Sequence, residues 1–281
     1  MEDRIARLAS VFAVKVCAYA VMHNHTHLVL YVDNKHTEEW DLDEVIRRWH
    51  KLFKGTCLSR KYMQNSFAVS NSPAEIKTLR ETVNIWRNRL QDISWFMRSL
   101  NEYIARKANE EDGCTGRFWE GRFKMQALLD EAALLACMVY VDLNPMRAGL
   151  SVSPEASSYT SFKKRFCSKK TETPILWLLT FCKSDNPGKR GVLPCSHSDY
   201  FALVQHTAKN INNRQSSTEG KNELHEALSI NTSFWPEVTQ NFEHCFHHAA
   251  GAIDTLTSYV RTTGLKRMVD RQSALRLVAS A

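Results

Sequence analysis

Apolar positions along the chain follow two periods, and the switches between them outline the elements. Over residues 2–12 they fall at Ile5, Leu8 and Phe12, the spacing of one buried helix face. From Val14 the period shortens to two. This predicts a strand to Met22, a tight turn at His23-Asn24 and a second strand from about His25 to Val32. On that second strand His25, His27, Val29 and Tyr31 share one face. Thr26, Leu28, Leu30 and Val32 share the other, which is apolar enough to lie on a core. After a polar turn the helical period returns over about 41–54, with Val45, Trp49 and Leu52 inside and Arg47, Lys51 and Lys54 on a second stripe. Gly55 ends that helix, and a polar loop runs to Ser72. Ser72-Pro73-Ala74-Glu75 is a capping box with proline at the first helical position. The helix it starts is predicted to reach about Gln91. Asp92 caps another through Ala108, with Trp95, Phe96, Leu100, Tyr103 and Ile104 buried on the sheet.

Residues 110–113 read as a turn. The stretch 116–129 that follows ends as a strand and carries Arg117, Arg122 and Lys124 beside two glycines, Phe118 and Trp119. Asp130 then caps an apolar helical run, 132–143, which Pro145 stops. Tyr140 and Asn144 are four apart and neighbours on one face of its end, with small Ala133 and Cys137 continuing the stripe towards the N-terminus. Beyond Leu150 come a cationic run, 157–165, and one apolar patch, 175–181. Helical patterns then occupy 199–209, 224–230 and 234–249, with a polar loop over 210–222.

Charge changes the picture more than length does. The 281 residues carry a formal net charge of +7, with a pI near 9, which favours an anionic partner, nucleic acid first. The eight cysteines form no Cys-x-x-Cys pair, which argues against a zinc ribbon and for small core residues in a reducing cytoplasm. Lys15 interrupts the apolar stretch 10–22, no small-residue cleavage site follows it, and nothing approaches a membrane-spanning length.

Candidate chemistry lies in four places. Two imidazoles two apart on a strand face can close on one cation, or stand as surface histidines beside a hairpin. Tyr140 and Asn144 point a phenol and an amide together out of a helix end, although a tyrosine there can equally belong to the core. Basic residues interleaved with aromatics, as at Arg117, Trp119, Arg122 and Lys124, suit single-stranded DNA, because cations neutralise phosphate while rings stack on unpaired bases. Arg47, Lys51 and Lys54 could track phosphates or simply form a solvated face. His244, His247 and His248 on one helix point in different directions and read as structural.

His25-Thr26-His27 resembles the His-hydrophobe-His signature of the HUH endonucleases. The run Tyr140-Val141-Asp142-Leu143-Asn144-Pro145-Met146-Arg147-Ala148-Gly149-Leu150 is similar to the tyrosine motif of the REP-associated tyrosine transposases, relatives of the single-tyrosine insertion-sequence transposases. Thr26 stands where a larger apolar residue is usual, and His23 where a proline is common. The resemblance covers residues 1–165. It implies an α+β fold: a ferredoxin-like antiparallel sheet with helices, carrying a helical insertion over about 41–91. A mainly α-helical C-terminal region, 166–281, follows. Tyr140 would be the nucleophile, and His25, His27 and Asn144 would hold Mg²⁺ or Mn²⁺. The substrate would be single-stranded DNA hairpins, such as repetitive extragenic palindromes or insertion-sequence ends, cut and rejoined in the cytoplasm through a 5′-phosphotyrosine link.

Two rival readings accompany this one: a hydrolytic metal-dependent nuclease in which Tyr140 is passive, and a non-enzymatic nucleic-acid binder descended from a transposase. A ferredoxin-like core is β-α-β-β-α-β, and no strand precedes the first helix of this sequence. The resemblance therefore implies a fold lacking its first strand, with the histidine strand unpartnered on one side and low solubility or activity as the consequence.

Overall fold

The hairpin forms where the two-residue period predicts it. In the computed structural model, which describes residues 1–64, 72–171, 175–182, 191–213, 223–265 and 270–278, α1 (Glu2–Val11) leads into β1 (Val14–Val21), and β2 (Thr26–Val32) returns antiparallel to it. The Met22 N–H donates to the His25 carbonyl at 2.9 Å and closes the turn. Along β2 only Val29, on the histidine face, is fully buried. The chain is α+β, with helices predominating and a mainly helical C-terminal region. Its two compact units are Met1–Lys15 with Tyr31–Phe123, and Val16–Leu30 with Lys124–Ala281.

The first unit continues through α2 (Asn34–Glu38), α3 (Leu42–His50), α4 (Cys57–Met63), α5 (Pro73–Leu90) and α6 (Ile93–Glu111). Asp41 caps α3 by accepting from the Glu44 N–H at 2.7 Å, and the Ser72–Glu75 capping box starts α5. Trp49 of α3 stacks on Trp86 of α5, their ring centres 5.0 Å apart. Three expectations change here. α3 stops at His50 rather than 54, because the chain turns at Lys51–Phe53 and Gly55 takes a left-handed φ of +67° that its missing Cβ permits. The stretch read as a loop after Gly55 holds α4. Its capping box pairs Thr56 with Ser59, a serine where the sequence signature asks for Glu or Gln. The rest of that loop, 65–71, lies outside the described residues. Lastly, α6 packs on α1 and α5 rather than on the sheet. Phe96 and Leu100 are buried there, while Tyr103 is exposed with the Arg4 guanidinium over its ring.

In the second unit come β3 (Ala127–Leu128), α7 (Glu131–Asp142), α8 (Asn144–Arg147), α9 (Ser161–Thr171), α10 (His197–Asn213), α11 (Glu223–Ala227), α12 (Trp235–Gln240), α13 (Phe242–Cys245), β4 (Ala249–Ala250), α14 (Ile253–Thr263) and α15 (Arg271–Leu277). α7 is its centre, with α10, α12 and α13 packed on it. The four-stranded sheet of a ferredoxin-like core is not assembled among the described residues. β3 does not join the hairpin. It pairs in parallel with β4, where the small, buried Ala249 and Ala250 let the backbones meet. Backbone bonds from the neighbourhoods of Tyr159 and Trp177–Leu179 cover the outer edge of β1. Among the described residues no strand pairs with β2 on the side away from β1.

The helix predicted over 234–249 is broken at Asn241, whose φ is −132°, and at the extended Phe246. α10 runs to Asn213, so part of the predicted loop is helical, and residues 214–222 of it lie outside the described residues. α14 and α15 add two helices that the sequence reading did not include.

Candidate active site

Three cooperating features bring Tyr140 to the histidines. Asp130 starts α7 by accepting from the Ala133 N–H at 2.9 Å, which fixes the helical phase and sets Tyr140 on its last turn. The buried faces of α7, including Ala133, Ala136 and Val139, leave Tyr140 half-buried at the rim. The hairpin register then presents the histidine face of β2. The His25 and His27 rings lie 4.8 Å apart, edge to face, and the His27 ring meets the Tyr140 ring at 5.7 Å. Residues more than a hundred positions apart thus converge.

Pro145 breaks α7 but does not end the helical path. Leu143 (φ −91°, ψ 2°) links α7 to α8, its N–H donating to the Val139 carbonyl while its own carbonyl accepts from Arg147. Asn144 therefore stays one turn beyond Tyr140. It is buried, 7% exposed, at the start of α8. α12 and α13 pack on α7, and the buried Phe242 ring lies 5.9 Å from that of Tyr140.

Two further side chains belong to this cluster, and neither was singled out from the sequence. Arg147 lays its guanidinium over the Tyr140 ring at 3.8 Å and donates to the Tyr140 carbonyl at 2.6 Å and the Thr239 carbonyl at 3.2 Å. Its signal was available: seven residues are about two helical turns, so Tyr140 and Arg147 share a face. Glu243 places Oε1 3.4 Å from His27 Nδ1. No local pattern announces it, because its position depends on α13 docking on α7.

Burial and neighbouring charges act on His27 and Tyr140. Burial, then the neighbouring His25 and the Arg147 cation, push His27 down from its ordinary 6.5 to about 4, so its imidazole is neutral at pH 7. Burial and the Glu243 carboxylate push the Tyr140 phenol up, while Arg147 opposes them by charge and hydrogen bonding. Unaided, Tyr140 is a poorer nucleophile than a tyrosine in water.

Donor chemistry decides whether a divalent ion suits these residues. Two imidazoles on one face, one held neutral, with amide and carboxylate oxygens on adjoining elements, fit Mn²⁺ or Zn²⁺. Mg²⁺ fits less closely because it favours oxygen. Among the described residues no three His, Cys, Asp or Glu side chains form a ready metal cage. An ion on the histidine pair would therefore draw further ligands from the Asn144 amide, phosphate or water.

The other candidate residues are dispersed. Arg117 donates to the Trp119 and Glu120 carbonyls at 2.8 and 2.7 Å, and Trp119 Nε1–H donates to the Asn101 carbonyl on α6, which pins this loop. Arg122 and Lys124 are exposed. Arg47 pairs with Glu44 at 2.9 Å, while Lys51 and Lys54 are exposed beyond the end of α3, so the basic stripe continues into a turn. His247 lies beyond the end of α13, with Nδ1 2.8 Å from Asp270 Oδ1, so His244, His247 and His248 do not share one helix. No described helix is long and apolar enough to cross a membrane. No family model, curated protein or solved structure matches this chain.

Proposed function

We propose that this protein cleaves and rejoins hairpin-forming single-stranded DNA through a covalent 5′-phosphotyrosine at Tyr140. The observation that carries the reading is the ring contact between His27 and Tyr140, which supports it by bringing a phenol beside the His25–His27 pair. His25 and His27, with Asn144 one turn past Tyr140, would hold a divalent cation whose charge stabilises the transferring phosphate. The Tyr140 oxygen attacks phosphorus, its proton passes to solvent, and the 3′-oxygen leaves. The link keeps one phosphodiester bond, so a 3′-hydroxyl can reverse it. Arg147 holds the ring and favours the phenolate. The net charge of +7 and the exposed Arg122, Lys124, Lys51 and Lys54 suit the DNA backbone.

The test is to incubate the chain with end-labelled hairpin DNA and Mn²⁺, denature, and look for protein-linked label. The expected result is a 5′-linked adduct that Tyr140→Phe abolishes while DNA binding persists. Cleavage surviving in Tyr140→Phe would mean attack by water. Metal-independent binding without an adduct would make the chain a binder only.

A further inference from the structure

Both histidines of the candidate site have the same ring nitrogen facing an oxygen. His25 Nδ1 lies 2.6 Å from Asn24 Oδ1, and His27 Nδ1 lies 3.4 Å from Glu243 Oε1. An amide or carboxylate oxygen only accepts, so each contact favours the tautomer with hydrogen on Nδ1 and the lone pair on Nε2. Imidazoles that bind metals commonly donate their second N–H to a carboxylate, amide or carbonyl in this way, which fixes the ring and makes the free nitrogen a better donor.

The two partners reach the histidines by different routes. Asn24 sits in the hairpin turn beside His25, closed by the Met22–His25 backbone bond. Glu243 comes from the C-terminal region. The preceding Phe242 is 1% exposed and anchors α13, with its ring 5.4 Å from Phe246 and 5.9 Å from Tyr140. Arg147 binds the Thr239 carbonyl on α12, one helix earlier. Glu243 itself is 59% exposed in its side chain, so packing does not explain its place. At 3.4 Å the contact is longer than a closed N–H···O bond of about 2.7–3.2 Å, leaving the carboxylate within easy reach of one.

The geometry points to Glu243 and Asn24 as positioning residues that hold His27 and His25 in the Nδ1–H form, so that both Nε2 atoms face a divalent cation, with the C-terminal region supplying one of the two supports. This rests on the metal reading proposed above, and the tautomers can be read without metal. The experiment uses the full chain with ¹⁵N-labelled histidine, in metal-free buffer at pH 7.5. Ring ¹⁵N spectra are assigned by His25→Gln and His27→Gln, and Mn²⁺ affinity is measured by calorimetry. Both rings are expected in the Nδ1–H form. Glu243→Ala is expected to release His27 into a tautomer mixture and weaken Mn²⁺ binding by about 10- to 100-fold. Glu243→Gln, which keeps an acceptor oxygen, should restore most of both. Wild-type His27 in the Nε2–H form would overturn the inference whether or not metal binds. Unchanged Mn²⁺ affinity in Glu243→Ala would also overturn it, as would Glu243→Gln as weak as Glu243→Ala, since that marks a direct ligand. If wild type shows the Nδ1–H forms but binds no Mn²⁺, the metal assignment of both subsections falls and only the tautomer preference stands.

Discussion

Arg147 shows how one side chain can act on both packing and the ionisation of its neighbour. Its guanidinium lies on the Tyr140 ring and bonds to two carbonyls, one on its own helical path and one on α12. Removing it forfeits charge-assisted bonds and a cation–π contact, so Arg147→Ala is expected to lower unfolding stability by about 2–4 kcal/mol. It should also raise the Tyr140 phenol further, because Arg147 is what opposes burial and Glu243 there. If Tyr140 forms the proposed adduct, the alkaline rise in its rate should then move to higher pH. A pH–rate profile that coincides with wild type would show that Arg147 only packs. Its neighbour in the motif, Asp142, has a different job. Fully buried, it accepts from Ser161 Oγ, the Phe162 N–H and Tyr200 Oη at 2.5, 2.9 and 2.6 Å. The motif therefore mixes residues that face the site with residues that tie α7 to α9 and α10, and spacing alone does not separate them.

Among the elements, those opened by strong local chemistry were legible in the sequence. Asp130 before α7, Asp92 before α6 and the Ser72–Glu75 box before α5 all cap as their side chains predict. The hairpin was legible from two apolar runs around a polar turn, but its faces were not: β1 is buried on both, and along β2 only Val29, opposite the face expected to meet the core, is fully buried. α12, α13 and β4 were not legible either, because 234–249 keeps a helical apolar period although Asn241 and Phe246 leave helical geometry. Just beyond that segment, Asp130 makes a tertiary tie. While Oδ1 caps α7, Oδ2 accepts from the Ala252 N–H at 2.5 Å and Thr255 Oγ1 at 3.0 Å. A cap is worth about 1 kcal/mol and each further bond about as much. Asp130→Ala is thus expected to cost about 2–4 kcal/mol in urea unfolding, well beyond a cap alone. A loss of 1 kcal/mol or less would mean that β3 and β4 hold each other without it. Gly251 fits the same arrangement, since a Cβ there would meet Thr255 Oγ1 at 2.7 Å and Asp130 Oδ2 at 2.9 Å.

For the whole molecule, acid stability gathers local effects into one measurable quantity. Burial pushes four described histidines down: His50 and His197, and furthest His27 and His225, the last 3% exposed with its ring 4.7 Å from that of Trp235. Neither ring nitrogen of His225 has a hydrogen-bond partner among the described residues, so a charged imidazole there would have lost its hydration without replacement. Burial, followed by the charge of His206, pushes His225 from its ordinary 6.5 to about 4. The sign follows from proton counting. Between about pH 6.5 and 4 the unfolded chain binds protons on His27 and His225 that the folded chain refuses, so unfolding becomes easier as pH falls. Their contribution is fully present above 6.5 and is lost as pH drops towards 4, at up to about 1.4 kcal/mol per pH unit for each histidine. Asp142 works the other way, because burial holds its carboxyl above the ordinary range and protonation there favours the folded chain. A wild-type curve sums these opposing slopes, and a variant separates them. His225→Leu keeps the site apolar and removes one refused proton, so its urea-derived stability should fall less steeply than wild type between pH 6.5 and 4. His27→Gln should do the same, and the double variant should be the flattest of the set. Equal slopes for wild type and His225→Leu would mean that the folded chain accepts a proton at His225 as readily as the unfolded one, and the buried, neutral ring would have to be abandoned.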